Sequence, residues 1–84
     1  MKALVIVDVQ NDFLINGSLE VPQGNEVIEP INQIINNYAL VVATKDWHPL
    51  DHVSFVSNHP GKKVGDIAKG DNLVQILWPN HCVQ

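Results

Sequence analysis

The sequence has no arginine and a single cysteine, and both shortages exclude classes of function. Its five basic residues are all lysines against nine acidic residues, so the formal net charge is −4. A nucleic-acid-binding surface needs a dense basic face to neutralise phosphates, so we expect no nucleic-acid partner. A lone thiol, Cys82, cannot form an internal disulfide and is typical of a reducing compartment. We therefore expect a cytoplasmic location.

Long hydrophobic runs are missing as well. The apolar segment Ala3–Val7 ends at Asp8, far short of the roughly 20 residues that span a bilayer, and no small-residue cleavage site follows it. We expect no membrane association and no signal peptide. The chain is 45% hydrophobic and 17% charged, which is typical of a globular protein. Its 84 residues leave room for one small domain, residues 1–84.

Two apolar segments predict neighbouring parallel strands. Ala3–Val7 and Val41–Thr44 are continuous and β-branched, without alternation, as in strands buried on both faces of a sheet. Between them, apolar residues recur at helical spacing after Asn25, which we interpret as the N-cap. These residues are Val27, Ile28, Ile31, Ile34, Ile35 and Tyr38. Strand, helix and strand in this order predict a βαβ unit and an α/β fold.

The other segments carry weaker patterns. The loop 8–24 is long for a compact domain, and loops of this length are often functional. Residues 51–70 show no sustained periodicity and are predicted to be loop with short turns. Asp71–Leu77 is predicted to be a short helix that ends before Pro79.

An Asp-x-His pair at the carboxyl end of the second strand suggests a metal site. Asp46 and His48 lie on one face of an extended chain, at the sheet edge where α/β proteins bind ligands. His81 is the candidate third ligand, and one carboxylate with two imidazoles suits zinc, iron or manganese. His52 is a possible further ligand, although an exposed loop histidine is the simpler interpretation.

Three further side-chain types have two interpretations each. Asp8 is either a general base or a structural anchor of the long loop, and its position alone favours the anchor. Cys82 is either a nucleophile beside His81 or a small buried side chain; we favour burial, because adjacent residues of an extended chain point to opposite faces. Phe13, Trp47 and Trp78 are either core residues or walls of a ligand pocket, and Trp78 is the best candidate for a ring near a ligand.

Four stretches resemble the nicotinamidases, also called pyrazinamidases, of the isochorismatase-like hydrolase superfamily. The stretches are Ala3–Phe13, Gly17–Leu19, Asp46–Pro49 and Trp78–Gln84, in order along the whole chain. The first is shared across the superfamily, whereas Asp-x-His and Trp-Pro-x-His-Cys-Val mark the metal-binding nicotinamidases. The resemblance implies a three-layer α/β/α, Rossmann-like fold around a mostly parallel sheet, of which this chain is the amino-terminal part.

The resemblance also implies an activity and a set of site residues. Nicotinamidases hydrolyse nicotinamide, and pyrazinamide, to the acid and ammonia, a reaction of NAD salvage. By position, Asp8 matches the acid of an Asp-Lys-Cys triad. Asp46, His48 and His81 match the ligands of one divalent ion, zinc before iron or manganese, and His52 matches a ligand of some members. Phe13, Leu19 and Trp78 match walls around the pyridine ring.

The rest of the triad has no match in this chain. Cys82 does not match the nucleophile, and the lysines do not match the triad lysine, since both lie beyond the matched segments in the family. We therefore expect an amino-terminal portion that is inactive alone. An incomplete sheet exposes strand edges and apolar surface, which favours self-association.

Two alternatives remain open. One is a cysteine hydrolase of the same superfamily that acts on isochorismate or a carbamoyl amide, although such an enzyme gives no reason for the Asp-x-His pair and His81 to occur together. The other is a small metal-binding or interaction module without catalysis.

Overall fold

The computed structural model describes residues 1–70 and 73–84, which form two compact units, Met1–Asp46 and Trp47–Gln84. The strands are β1 (Ala3–Val7), β2 (Leu40–Thr44), β3 (Ile67–Gly70) and β4 (Leu73–Ile76), and the α-helix is α1 (Ile28–Ile34). Short 3-10 helices cover Asn11–Phe13, Gly24–Val27, Ile35–Asn37 and Val56–Asn58. In the part of the chain that is described, no helix is long and apolar enough to cross a membrane.

The first unit contains the predicted strand–helix–strand arrangement. β1 and β2 pair in parallel, with Ala3 opposite Leu40 and Val7 opposite Thr44. α1 lies between them in the chain. Ile28 and Ile31 of α1, and Ile35 and Tyr38 just after it, are half-buried as predicted, whereas Val27 and Ile34 of the predicted stripe are 46% and 39% exposed. The parallel pairing predicted from the two apolar runs is therefore confirmed.

The burial predicted for these strands is wrong. β2 is exposed along its whole length, and Val5 and Val7 of β1 are 57% and 64% exposed. A sheet is buried on both faces only when a layer of structure covers each face. Within the described residues α1 is the one α-helix, so the β-branched side chains remain open to solvent.

The helix begins differently from the prediction. Asn25 does not cap it: the Asn25 carboxamide oxygen accepts a hydrogen bond from the backbone N–H of Ile15, at 2.7 Å. The 3-10 turn Gly24–Val27 leads into α1, which then contains Pro30 in its first turn. The missing N–H of Pro30 costs little there, because first-turn amides have no partner within the helix. The Asn25 side chain thus ties the long loop to the start of the helical segment.

That loop folds back on itself through backbone hydrogen bonds. The N–H of Leu19 donates to the carbonyl of Asp12, and the N–H of Val21 donates to the carbonyl of Phe13, both at 2.9 Å. A Cβ atom on Gly17 would lie 2.3 Å from the Asp12 carbonyl oxygen, closer than any side chain can approach. The loop therefore requires glycine at position 17.

The second unit contains an antiparallel hairpin that the sequence did not predict. β3 and β4 pair from Ile67 opposite Ile76 to Gly70 opposite Leu73. The helix predicted over Asp71–Leu77 is wrong where it can be compared, since Leu73–Ile76 is a strand; Asp71 and Asn72 lie outside the described residues. So short an apolar run fits the period of a helix and that of a strand equally well, and its pairing with β3 makes it a strand. The loop predicted over 51–70 is likewise wrong for 67–70.

The buried residues all lie in the second unit. Phe55 and Leu77 are fully buried, and the side chains of Ser54, His81 and Cys82 are each 6% exposed. Backbone hydrogen bonds of 2.8 Å join Trp78 to Ser54 and Val56, so the segments on either side of the core run next to each other. The core is small and contains one of the predicted metal ligands, His81.

Candidate metal centre

The three predicted ligands offer their donor atoms close together. One oxygen of Asp46 and one ring nitrogen from each of His48 and His81 all lie within 4.8 Å of one another. Only Trp47 separates Asp46 from His48, so the local chain sets that spacing. Ligands around a tetrahedral zinc ion lie about 3.4 Å apart, given bonds of about 2.1 Å. The spacings here are at most about 1.4 Å wider, so small side-chain rotations would bring the three atoms onto one ion.

The position of His48 is fixed by backbone pairing with the end of the chain. Its N–H donates to the carbonyl of Cys82 at 2.8 Å, and its carbonyl accepts from the N–H of Gln84 at 2.9 Å. His48 and Val83 form an isolated parallel bridge. This bridge brings residues 81–84 beside His48, although the two segments are far apart in the sequence.

His81 has the tautomer that a metal ligand needs. Its Nδ1 lies 2.8 Å from the carbonyl oxygen of Pro79, which can only accept a hydrogen bond, so Nδ1 carries the proton. The lone pair of the neutral ring is then on Nε2. A backbone carbonyl is one of the usual partners that orient a metal-binding imidazole. The buried His81 is thus prepared to present Nε2 to a cation.

Phe55 packs against the histidine rings, and sequence reasoning missed it. The ring centroids of His48, His52 and His81 lie 5.5, 5.7 and 5.3 Å from that of Phe55, with tilted or edge-on geometry. His48 and His81 themselves lie 5.2 Å apart, edge to face. Because Phe55 is fully buried, it holds the two predicted ligand rings in place. Its lack of a polar group gave the sequence no signal of this role.

His52 lies beside His48 but is bonded differently from His81. The backbone N–H of Ser54 donates to His52 Nδ1 at 3.2 Å, and the Ser54 hydroxyl oxygen lies 2.7 Å from the same atom. Nδ1 therefore carries the lone pair, which places the proton of the neutral ring on Nε2. Its ring centroid is 4.1 Å from that of His48. As a ligand His52 stays a prediction, and this bonding favours a role beside the site.

Gln10 contacts the backbone of Asp46 and was also missed. Its side-chain carbonyl accepts the N–H of Asp46 at 2.7 Å, and its NH₂ group donates to the Asp46 carbonyl at 2.9 Å. Both residues are half-buried. The motif that contains Gln10 was recognised from the sequence, but nothing in its spacing indicates a contact with a residue 36 positions away.

Asp8 follows directly after β1 and is held by Thr44 at the end of β2. Its N–H lies 3.3 Å from both the carbonyl and the hydroxyl oxygen of Thr44, and that hydroxyl donates to the Asp8 carboxylate at 3.3 Å. Its φ of 55° is in the left-handed region, uncommon for a residue other than glycine. The contacts support the structural interpretation, and the exposed carboxylate is also accessible to chemistry.

A pocket of about 320 Å³ adjoins Asp8 within the first unit. Phe13 lines it, together with Val7, Leu14 and Val27 among others. Leu19 is half-buried in the loop, and Trp78 is 39% exposed in the second unit. The predicted contacts of Phe13, Leu19 and Trp78 with a substrate ring stay predictions.

Cys82 is buried, as the sequence analysis favoured. Its side chain is 6% exposed, and its φ of 50° departs from the extended geometry assumed in the sequence argument. Burial of this kind makes a thiol inert rather than reactive. The interpretation as a small buried side chain is supported, on burial rather than on alternation.

These features define a class: an α/β chain in which one carboxylate and two imidazoles offer donor atoms within 4.8 Å of one another. The donor set fits a divalent cation such as zinc, iron or manganese. The backbone bond to His81 Nδ1 supplies the support that such a site needs.

Comparisons with known proteins identify the relatives of this chain. No family model matches it. A nicotinamidase of Acinetobacter baylyi is 46% identical over 98% of the chain and 38% of its own length. Yeast nicotinamidase bound to the inhibitor nicotinaldehyde has a TM-score of 0.84 and 42% identity, over 100% of this chain and 45% of that one. The pyrazinamidase of Pyrococcus horikoshii in complex with zinc has a TM-score of 0.64 and 40% identity, over 98% and 39%.

The chain is thus homologous to nicotinamidases, and the resemblance predicted from its motifs is confirmed. The predicted isochorismatase-like α/β fold is confirmed by the same likeness to nicotinamidase structures. The chain spans 38–45% of the length of the curated relatives that it matches.

Proposed function

We propose that this chain supplies the metal-binding part of a nicotinamidase, which hydrolyses nicotinamide to nicotinate and ammonia and also accepts pyrazinamide. One observation carries the proposal: the donor atoms of Asp46, His48 and His81 lie within 4.8 Å of one another in a chain 46% identical to a nicotinamidase. The bond from His81 Nδ1 to the Pro79 carbonyl leaves Nε2 for a cation, which supports a metal site over a chance Asp-x-His pair. The same proposal assigns the protein to NAD salvage and to the cytoplasm.

The proposed cofactor is one zinc ion. Asp46, His48 and His81 would hold it, and the ion would supply a Lewis acid that orients the substrate or a bound water. The donor set suits zinc, and the homologous Pyrococcus pyrazinamidase was solved in complex with zinc. Iron and manganese fit the same donors and are tested beside it.

The proposed substrate is a pyridine ring with a carboxamide. Yeast nicotinamidase binds nicotinaldehyde, which has the same ring with an aldehyde. Phe13, Leu19 and Trp78 are proposed to contact the ring, since each is an apolar side chain at a position that matches the family pocket. Asp8 is proposed to relay protons, a role its exposed carboxylate at the end of β1 allows.

The chain alone is proposed to be inactive. Amide hydrolysis in this family uses a thiolate nucleophile, and the one thiol here, Cys82, is 6% exposed. The chain therefore supplies metal ligands and an acid without an accessible thiolate. Its exposed strands are proposed to make it self-associate.

Isothermal titration of the 84-residue chain with zinc, iron(II) and manganese(II) tests the metal site. Replacing a direct ligand should weaken zinc binding beyond the roughly 10–100-fold effect of losing an outer partner, so we expect more than about a 100-fold loss for His81→Ala. His52→Ala should weaken zinc binding by less than about 10-fold, below the range for an outer partner, because its Nδ1 is bonded to Ser54 rather than to a proposed ligand. His59→Ala is the matched control, because its ring is bonded to the Val53 carbonyl and it is not among the residues whose donor atoms lie together. Equal zinc affinity for wild type and His81→Ala would remove the metal site.

A chimera tests the reaction. Residues 1–84 replace the matching region of the Acinetobacter baylyi nicotinamidase, and ammonia release from nicotinamide is measured. We expect activity in the chimera, none in its His81→Ala variant and none in the 84-residue chain alone. A folded chimera that binds zinc but releases no ammonia would favour the non-catalytic metal-binding module.

A further inference from the structure

We propose that Gln10 is a positioning residue for the metal site, acting through the backbone of Asp46. The inference rests on the proposed function, because it concerns how one of the proposed ligands is held. Gln10 is not one of the three proposed ligands. Its side-chain amide instead occupies both backbone hydrogen-bonding groups of Asp46, at 2.7 and 2.9 Å.

The need for such a residue follows from where the strand pairing ends. The ladder of β1 and β2 ends at Val7 opposite Thr44, and Asp8 then turns out of the sheet with a φ of 55°. Its N–H still reaches the Thr44 carbonyl, although at 3.3 Å. Beyond that point β1 no longer offers a strand backbone to pair with the segment that carries Asp46.

The Gln10 side chain replaces the missing strand. A primary amide presents one acceptor and one donor, the same two groups that a neighbouring strand would present to Asp46. With its N–H and carbonyl both fixed, Asp46 can rotate only about its side-chain bonds. The carboxylate is thereby held where one of its oxygens lies within 4.8 Å of a ring nitrogen of His48 and of His81.

Only glutamine satisfies this geometry in full. Glutamate keeps the acceptor for the Asp46 N–H but places an oxygen against the Asp46 carbonyl, where a donor is needed. Asparagine has both groups but is one methylene shorter. Alanine removes both bonds and leaves two half-buried backbone groups without these partners.

The test is zinc binding by the 84-residue chain, with folding followed by circular dichroism. Outer partners of metal ligands typically contribute 10–100-fold to affinity, so we expect about that loss for Gln10→Ala and a smaller loss for Gln10→Glu. Gln33→Ala is the matched control, because that glutamine lies on the exposed face of α1 and makes only a 3.5 Å contact with Glu29. The visible spectrum of bound cobalt(II) reports the ligand geometry and should change in the Gln10 variants but not in the control.

The outcomes separate this proposal from the metal site itself. Wild-type affinity and an unchanged cobalt spectrum in folded Gln10→Ala would overturn the role of Gln10 and leave the metal site standing. Equal zinc affinity for wild type and His81→Ala would overturn both. If the Gln10 variants do not fold, the side-chain NH₂ resonances of wild-type Gln10 decide: they should shift on zinc addition while those of Gln33 stay, and no shift would overturn the proposal.

Discussion

The two units of the chain differ in how they are held together. Of residues 1–46, all of which the structure describes, none is buried, whereas residues 47–84 contain a small core around Phe55 and Leu77. The first unit is ordered by a parallel ladder and by hydrogen bonds within its long loop. The second packs two predicted ligand rings against a buried phenylalanine. The comparison teaches that a recognisable fold motif and a packed site need not lie in the same part of a chain.

The largest expected effect is on the packed unit. Phe55→Ala should destabilise the chain by about 3–5 kcal/mol, the usual cost of deleting a buried phenylalanine side chain, and should abolish zinc binding because His48 and His81 lose their common support. Val5→Ala, at a 57% exposed site in the first unit, should stay within about 0.5 kcal/mol. Chemical denaturation measures both. Equal destabilisation by the two changes would erase the difference between the units.

An intermediate effect is expected where the first unit depends on backbone contacts. Gly17→Ala would place a Cβ 2.3 Å from the carbonyl oxygen of Asp12 and should destabilise by about 1–3 kcal/mol, the range for overpacked sites. Gly70→Ala is the control, because no described atom lies within 4 Å of the added Cβ there. Thermal unfolding by circular dichroism compares them. A Gly17→Ala chain as stable as wild type would contradict this prediction, because the loop would then accommodate the added Cβ without a cost in stability.

The smallest effect on stability, and a larger one on association, is expected at the exposed strand face. Val7→Lys, at a 64% exposed position of β1, should change stability by less than about 0.5 kcal/mol but should reduce self-association. Val64→Lys is a control at a 57% exposed turn of the second unit. Sedimentation velocity over a range of concentrations measures association. A wild-type chain that stays monomeric throughout would contradict the proposed self-association.

The sequence predicted the parts that depend on local pattern. The β-branched runs of β1 and β2 and the apolar period of α1 can be recognised within short windows of sequence. The parallel pairing of the two strands follows from the order strand, helix, strand. The Asp-x-His pair was visible because its two members are neighbours along the chain. The third ligand, His81, was found by its residue type and by resemblance rather than by any period.

What the sequence could not predict depends on contacts between distant residues. The bonds from Gln10 to Asp46 join positions 36 apart, and no motif spacing encodes them. Phe55 is one apolar residue among many until its ring is placed between histidines. The helix predicted over Asp71–Leu77 is a strand at Leu73–Ile76. A run of four residues is too short to distinguish the helical period of about 3.6 residues from the strand period of two. Asn25 has the composition of a cap but bonds to Ile15 instead.

The bridge between His48 and Val83 gives the proposed zinc ion a second effect, on folding. The bridge joins the two ends of the second unit, so an ion held by His48 and His81 would cross-link those ends and stabilise the fold of the intervening chain. Bound metal raises the free energy of unfolding by mass action, which makes the melting temperature of this unit rise with zinc concentration. Chelation would then loosen hairpin and core together, and the cation would be a determinant of shape as well as of chemistry.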